Sequence, residues 1–154
     1  MERFDSPEAL EAGLPGLAEP VDGVLLVQEY VTAAEPRITR AELVGGEFVY
    51  ALTADTGRGG FQLCPADACA VDGTPDSLFA LRPEVPGALA DAYVHFAKRH
   101  GLEVAGFEFL ETADGRAVTY DVNTNTNYNA DVEAVAPRSA ARAVARLLGS
   151  LDRE

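Results

Sequence analysis

The stretch Glu103–Asn123, EVAGFEFLETADGRAVTYDVN, decides the fold. Apolar and polar residues alternate on both sides of Asp114-Gly115. That pair is favoured at the centre of a two-residue type I′ turn, where both positions take positive φ. The pattern predicts a β-hairpin with strands over about 103–112 and 117–123. With Asp114 and Gly115 as the loop, Ala113 pairs with Arg116, Leu110 with Thr119, Glu108 with Asp121 and Gly106 with Asn123. Gly106, Glu108, Leu110, Thr119, Asp121 and Asn123 then share one face, because side chains alternate along a strand. Phe107, Phe109, Tyr120 and Val122 occupy the other face and read as core.

This register sets two carboxylates against each other. Directly opposed Cβ atoms lie about 4.5–5.5 Å apart, and like charges there repel. Such a pair shares a proton, points into water or holds a cation between its members. Asn123 adds a neutral oxygen beside the pair, and Gly106 leaves room where a side chain would intrude. Hard oxygen donors with space for waters and phosphate oxygens suit magnesium or manganese, so Glu108, Asp121 and Asn123 form the candidate metal set.

Outward from the hairpin, Leu89, Ala92, Tyr93, Phe96 and Ala97 repeat at helical spacing between Pro86 and His100, with Gly101 as the terminating residue. Residues 37–44 and 47–54 read as two strands joined at Gly45-Gly46. The run 23–31, GVLLVQEYV, reads as a strand buried on both faces. Ser6-Pro7-Glu8 marks a helix start that fades by Gly13–Gly16. After the second strand come a glycine-rich loop, DTGRGG at 55–60, and an irregular stretch to about Pro83. That loop has neither the spacing of a P-loop nor a following helix, so Arg58 is a minor phosphate candidate. A last helix over about 137–151 carries Val144, Leu147, Leu148 and Leu151 on one stripe. The class is α+β: one domain over 1–154, a mostly antiparallel sheet with packed helices.

Composition narrows the function. Twelve basic residues face 25 acidic ones, a formal charge of −13, which opposes binding to nucleic acid or anionic lipid. The apolar runs are too short to span a bilayer, and Met1-Glu2-Arg3 opens no secretory signal, so the expected setting is the cytoplasm. Cys64 and Cys69, with His95 and His100, lack the usual zinc spacing and read as reduced thiols.

Three segments join the hairpin in a familiar order. VLLVQEY ends in a hinge-like Gln-Glu-Tyr, RITRAELVGGEFVYAL carries Arg40 ahead of a Val-Gly-Gly hairpin, and HGLEVAGFEFLE leads to Asp121-Val122-Asn123. The chain resembles the C-terminal half of an ATP-grasp ligase, most nearly the branch of α-L-glutamate ligases and glutathione-synthase-type enzymes. The likeness covers nearly all of residues 1–136, with the two metal acids exchanged, Glu first and Asp second.

The resemblance implies ATP as co-substrate and an acyl-phosphate route joining a small-molecule or peptide carboxylate to an amine. Gln28, Glu29 and Tyr30 become the adenine hinge, Leu110 its apolar floor and Glu35 a ribose contact. Arg40 becomes the catalytic cation, since a guanidinium stays charged and binds two oxygens at once. A salt bridge to Glu42 is the plain alternative. Asn125, Asn127 and Tyr128, from NTNTNYN, fall on the acceptor side, or else simply form a hydrogen-bonded turn. The family's preceding domain and its phosphate-gripping lysines have no counterpart here, where Lys98 is the only lysine. The chain therefore reads as the metal-, adenine- and acceptor-binding part of a larger ligase, with a non-catalytic Mg-nucleotide-binding module or an inactive ligase remnant as the alternative. A homo-oligomer is also open.

Overall fold

A computed structural model of the protein describes residues 2–59 and 78–151. Cys64 and Cys69, and the side chain of Arg58, lie outside the described residues. Contacts divide the chain into two compact units, residues 1–32 and 33–154.

In the first unit, helix α1 spans Pro7–Gly13. Ser6 caps it by accepting from the Ala9 N–H at 3.1 Å, and Pro7 occupies the first turn, where a missing N–H costs nothing. A 3-10 turn at Leu14–Gly16 ends it. The strand expected over 23–31 does not form. The segment joins no ladder, and Val24, Leu25, Leu26 and Val27 are 58%, 52%, 78% and 64% exposed. Apolar sequence creates a demand for burial, but a strand also needs a neighbour to take its N–H and C=O groups. Among the described residues no strand pairs with this one.

Among the described residues the second unit is built on five antiparallel strands: β1 (Arg37–Val44), β2 (Glu47–Asp55), β3 (Phe79–Arg82), β4 (Val104–Glu111) and β5 (Ala117–Asn123). They lie in the order β3-β2-β1-β4-β5. Gly45 and Gly46 take φ of 62° and 71°, so β1 and β2 join through the expected two-residue turn. Helix α2 (Thr56–Gly59) is a single turn after β2, where a plain loop was expected. Its start is held by Asp55 Oδ1 accepting from the Gly57 N–H at 2.9 Å.

Helix α3 (Gly87–Arg99) covers one face of the sheet. Ala41, Leu43, Ala51, Ala105, Phe107 and Phe109 pack there against Tyr93 and Ala97. The Tyr93 ring stacks on Phe107 with centroids 4.4 Å apart. Each large side chain so buried contributes about 1.5–3 kcal/mol.

Helices α4 (Ala130–Val135) and α5 (Ala140–Leu151) pack on the other face, with Tyr50, Leu52, Ala54, Phe79, Val132 and Ala140 as its buried set. The single last helix expected from Pro137 therefore starts later, and α4 precedes it. Glu133 ties the two together, accepting from the Ser139 hydroxyl at 2.5 Å and the Ala140 N–H at 2.9 Å. Burial pushes the Glu133 pKa up, but these hydrogen bonds outweigh it and leave the group below its ordinary value. Of the expected stripe, Val144 and Leu147 pack inward, while Leu148 and Leu151 are exposed.

Candidate functional site

The β4–β5 hairpin turns through three residues rather than two. Thr112 pairs with Arg116, its carbonyl accepts from the Gly115 N–H at 2.9 Å, and Gly115 has positive φ, 81°. This is the three-residue loop that ends in a left-handed glycine. It sets Leu110 opposite Val118 and Phe109 opposite Thr119, one residue away from the expected pairing. A β-bulge between Glu108 and Phe109 then absorbs the extra residue. Beyond it Glu108 faces Asp121, Phe107 faces Val122 and Gly106 faces Asn123, as the sequence predicts. The turn and the bulge cancel at the functional end.

The bulge has chemical consequences. Thr119 turns to the α3 face, where its hydroxyl and that of Tyr93 lie 2.6 Å apart. Tyr120, expected in the core, instead donates its hydroxyl to Glu108 Oε2 at 3.0 Å. Burial, and then the Glu108 charge, push the Tyr120 pKa well up, so the hydroxyl keeps its proton and remains a donor. Val122 is partly exposed rather than core.

Three strands meet at Arg40. From β1 its Nε donates to Glu42 Oε1 at 2.8 Å and its Nη1 to Glu108 Oε1 on β4 at 3.0 Å. Arg40, Glu42 and Glu108 are 5%, 0% and 8% exposed. Both carboxylates are thus bound by one buried guanidinium, and the expected alternative of an Arg40–Glu42 salt bridge is present alongside the pair to Glu108. Glu42 Oε2 accepts from the Thr126 hydroxyl at 2.9 Å. Burial raises the Glu42 pKa; Arg40 and the Thr126 hydrogen bond act against it. Arg40 Nη2 is buried and has no hydrogen-bond partner among the described residues. A buried donor left unsatisfied costs about 1–3 kcal/mol.

Gly106 makes this arrangement possible. A Cβ there would lie 2.6 Å from Arg40 Nε and 2.7 Å from Nη2. The sequence suggests that the space at Gly106 is for a ligand; the guanidinium fills it.

Asp121, across from Glu108, accepts from the Asn123 amide nitrogen at 2.6 Å. That bond turns the amide so that its carbonyl oxygen remains for another partner. Among the described residues no three His, Cys, Asp or Glu side chains cluster tightly enough to hold a metal. Two carboxylates and an amide oxygen are still a hard donor set that fits magnesium, provided Glu108 shares an oxygen already held by Arg40 or Tyr120.

The other expected residues are more dispersed. Gln28, Glu29 and Tyr30 belong to the first unit and are exposed, and the Arg3 guanidinium lies 4.1 Å from the Tyr30 ring centre. Glu35 pairs with Arg37 at 3.3 Å, beside a recess lined also by Ala34, Thr39 and Glu111. Leu110 is half-buried, and Asn125 and Asn127 are exposed. Tyr128 packs against the α4–α5 core, and burial with the charges of Glu42 and Glu133 pushes its pKa up to about 12. Thr126 and Tyr120 are site residues that the sequence does not single out. The bulge that brings Tyr120 in has no sequence signal, whereas Thr126 stands in the acceptor segment between Asn125 and Asn127.

No protein-family model and no curated sequence matches the chain. Its fold is shared with solved ATP-grasp ligases. One is the ATP-grasp ligase PsnB complexed with a phosphomimetic variant of minimal precursor, Mg and ADP. That structure is 19% identical with a TM-score of 0.56, over 80% of this chain and 34% of the other. PsnB complexed with precursor peptide PsnA2 and AMPPNP matches at 16% identity and a TM-score of 0.56, over 82% and 35%. The macrocyclase MdnC from Microcystis aeruginosa MRC, bound with precursor peptide MdnA, matches at 16% and 0.52, over 75% and 34%. The chain spans about a third of the length of these ligases. Among the described residues no helix is long and apolar enough to cross a membrane.

Proposed function

We propose that the chain is the metal- and acceptor-binding part of an ATP-dependent carboxylate–amine ligase working in the cytoplasm. The observation that carries this reading is the buried, unpartnered Nη2 of Arg40, whose guanidinium is bonded to Glu108, the acid that faces Asp121 across the hairpin. A cation-seeking acid pair next to an anion-seeking guanidinium fits a metal-bound polyphosphate better than either ion alone. The shared fold supports the same choice.

Glu108, Asp121 and the Asn123 carbonyl would hold magnesium or manganese, which when bound offsets charge on the phosphates. Arg40 binds an oxygen of the transferred phosphoryl group through Nη2. A substrate carboxylate attacks the terminal phosphorus of ATP, the bond to ADP breaks, and an acyl phosphate results. An amine then attacks the acyl carbon, phosphate leaves and the nitrogen loses a proton. Glu35 and Leu110 are the adenosine-side residues of the second unit in this reading, and Asn125, Asn127 and Tyr128 the acceptor-side ones. Peptide substrates are favoured over free glutamate, since solved structures sharing the fold hold precursor peptides.

Calorimetric titration of the chain with AMPPNP and magnesium tests the reading. Binding that Asp121→Ala weakens tenfold or more is expected; equal affinity in the variant would sink it. One observation favours a second reading, a binding module without turnover. The only lysine of this sequence, Lys98, lies on α3 against Gly46 and is bonded to neither Glu42 nor Glu108 among the described residues. Nucleotide binding without phosphate release, with any peptide acceptor supplied, would select that reading.

A further inference from the structure

Arg40 can serve as an anion receptor only if its guanidinium is held so that one nitrogen stays unpaired, as Nη2 is here. A free arginine side chain samples many rotamers, and that freedom has to be removed before ligand arrives. Two contacts remove it here: Glu108 on Nη1 and Glu42 on Nε. They differ in kind. Glu108 belongs to the candidate metal set and has to share its oxygens when a cation binds. Glu42 is fully buried and keeps its second oxygen on the Thr126 hydroxyl.

Thr126 lies in the segment that follows β5, between the exposed Asn125 and Asn127. A displacement of that segment pulls on Glu42 through one hydrogen bond and on Arg40 through the next. The relay is side chain to side chain throughout, so it has a defined donor at each joint. Glu42 cannot rotate away cheaply, because a buried carboxylate that loses its donors is left uncompensated.

We propose that Glu42 and Thr126 are a positioning pair, which fixes Arg40 with its buried Nη2 unpaired beside Gly106 and ties that orientation to the 124–129 segment. The proposal rests on the reading of Arg40 as an anion receptor. It gives the acceptor segment a second role, because the placement of that segment presets the cation that meets the phosphoryl oxygen.

The test compares wild type with Thr126→Val, which removes the donor at nearly constant volume, and Thr126→Ser, which restores it. The first readout needs no ligand: the hydrogen-exchange rate of the Arg40 Nε–H by NMR. Thr126→Val should speed exchange tenfold or more while lowering the melting temperature by only a few degrees, and Thr126→Ser should return both to the wild-type values. Unchanged exchange in Thr126→Val overturns the proposal. The second readout is affinity for AMPPNP with magnesium, which should fall at least fivefold in Thr126→Val and recover in Thr126→Ser. Faster exchange with undiminished affinity also overturns it. If Arg40→Lys binds AMPPNP as well as wild type does, the receptor reading itself fails. That outcome is separate from the exchange result.

Discussion

Glu108 and Asp121 stand opposite each other on β4 and β5, yet their carboxylates are satisfied by different groups. Glu108 takes Arg40 on one oxygen and the Tyr120 hydroxyl on the other, while Asp121 takes the Asn123 amide. Repulsion between the two acids is relieved by turning each toward its own donor. A divalent cation has to compete with those donors, and Tyr120 is the weaker competitor for Glu108 because it is neutral.

Tyr120→Phe therefore separates stability from cation binding. Losing one hydrogen bond to a carboxylate should lower stability by about 1 kcal/mol or somewhat more, read by urea denaturation. Magnesium affinity, read by calorimetry with AMPPNP present, should hold or rise. A tenfold loss of affinity would mean that the hydroxyl orients the ligand oxygen instead of competing for it.

Among the described residues Arg40 is the sole cation bonded to Glu42 and Glu108. Removing the charge leaves two buried carboxylates close together, so Arg40→Met should destabilise the fold by about 3–5 kcal/mol. Arg40→Lys keeps the charge without the planar fork and should cost clearly less. Thermal and chemical unfolding of the two variants would show the ordering. Equal losses would mean that geometry outweighs charge.

At Gly106 a methyl group would meet the guanidinium at 2.6–2.9 Å. Both strands of the pair β1–β4 are fixed there, so Arg40 has to move, and both its ion pairs with it. Gly106→Ala should cost about 1–3 kcal/mol, within the usual range for overpacking. A crystal structure of the variant should show Arg40 rotated from Glu42. A stable variant with Arg40 undisturbed would contradict the close approach.

The sequence carried the sheet well where local chemistry is decisive. Gly45-Gly46 determines its own turn, and the 3.6-residue spacing of Tyr93 and Ala97 determines the buried face of α3. The pairing of Glu108 with Asp121 was legible too, although by way of two offsetting local departures, the longer turn and the bulge. Neither departure is written in Asp114-Gly115 itself, which suits either loop length. The segment 23–31 failed for a different reason: its apolarity is plain, but ladder partners are not a local property. The Arg40 network combines both cases. Its charged residues were visible on their strands, whereas the sharing of one guanidinium between Glu42 and Glu108 depends on β1 lying beside β4.

A second arginine cluster sets the acid stability. Arg82, at the end of the edge strand β3, reaches Glu111 on β4 with Nη1 at 3.0 Å and Nη2 at 2.9 Å, and gives Nη1 also to Thr39 Oγ1 at 2.6 Å. Thr39 and Glu111 lie on different strands, so the contact links the edge to the middle of the sheet. The hydrogen bonds from Arg82 hold the Glu111 pKa below its ordinary value near 4.5, against a smaller opposing effect of burial. A carboxyl with a depressed folded pKa stabilises the native state above its unfolded pKa, and that contribution is lost as pH falls through the folded value. The window therefore opens near pH 4.5 and extends downward. Glu111→Gln and Arg82→Met should each lower stability at neutral pH by about 1 kcal/mol, modest because Glu111 is partly exposed. Both variants should lose less stability than wild type when the pH is lowered through that window. Because Asp114 and Glu133 also titrate there with lowered values, the comparison is made as a double-mutant cycle at about pH 7 and about pH 3. A coupling energy that is the same at both pH values would show that the Arg82–Glu111 contact acts by packing rather than by charge.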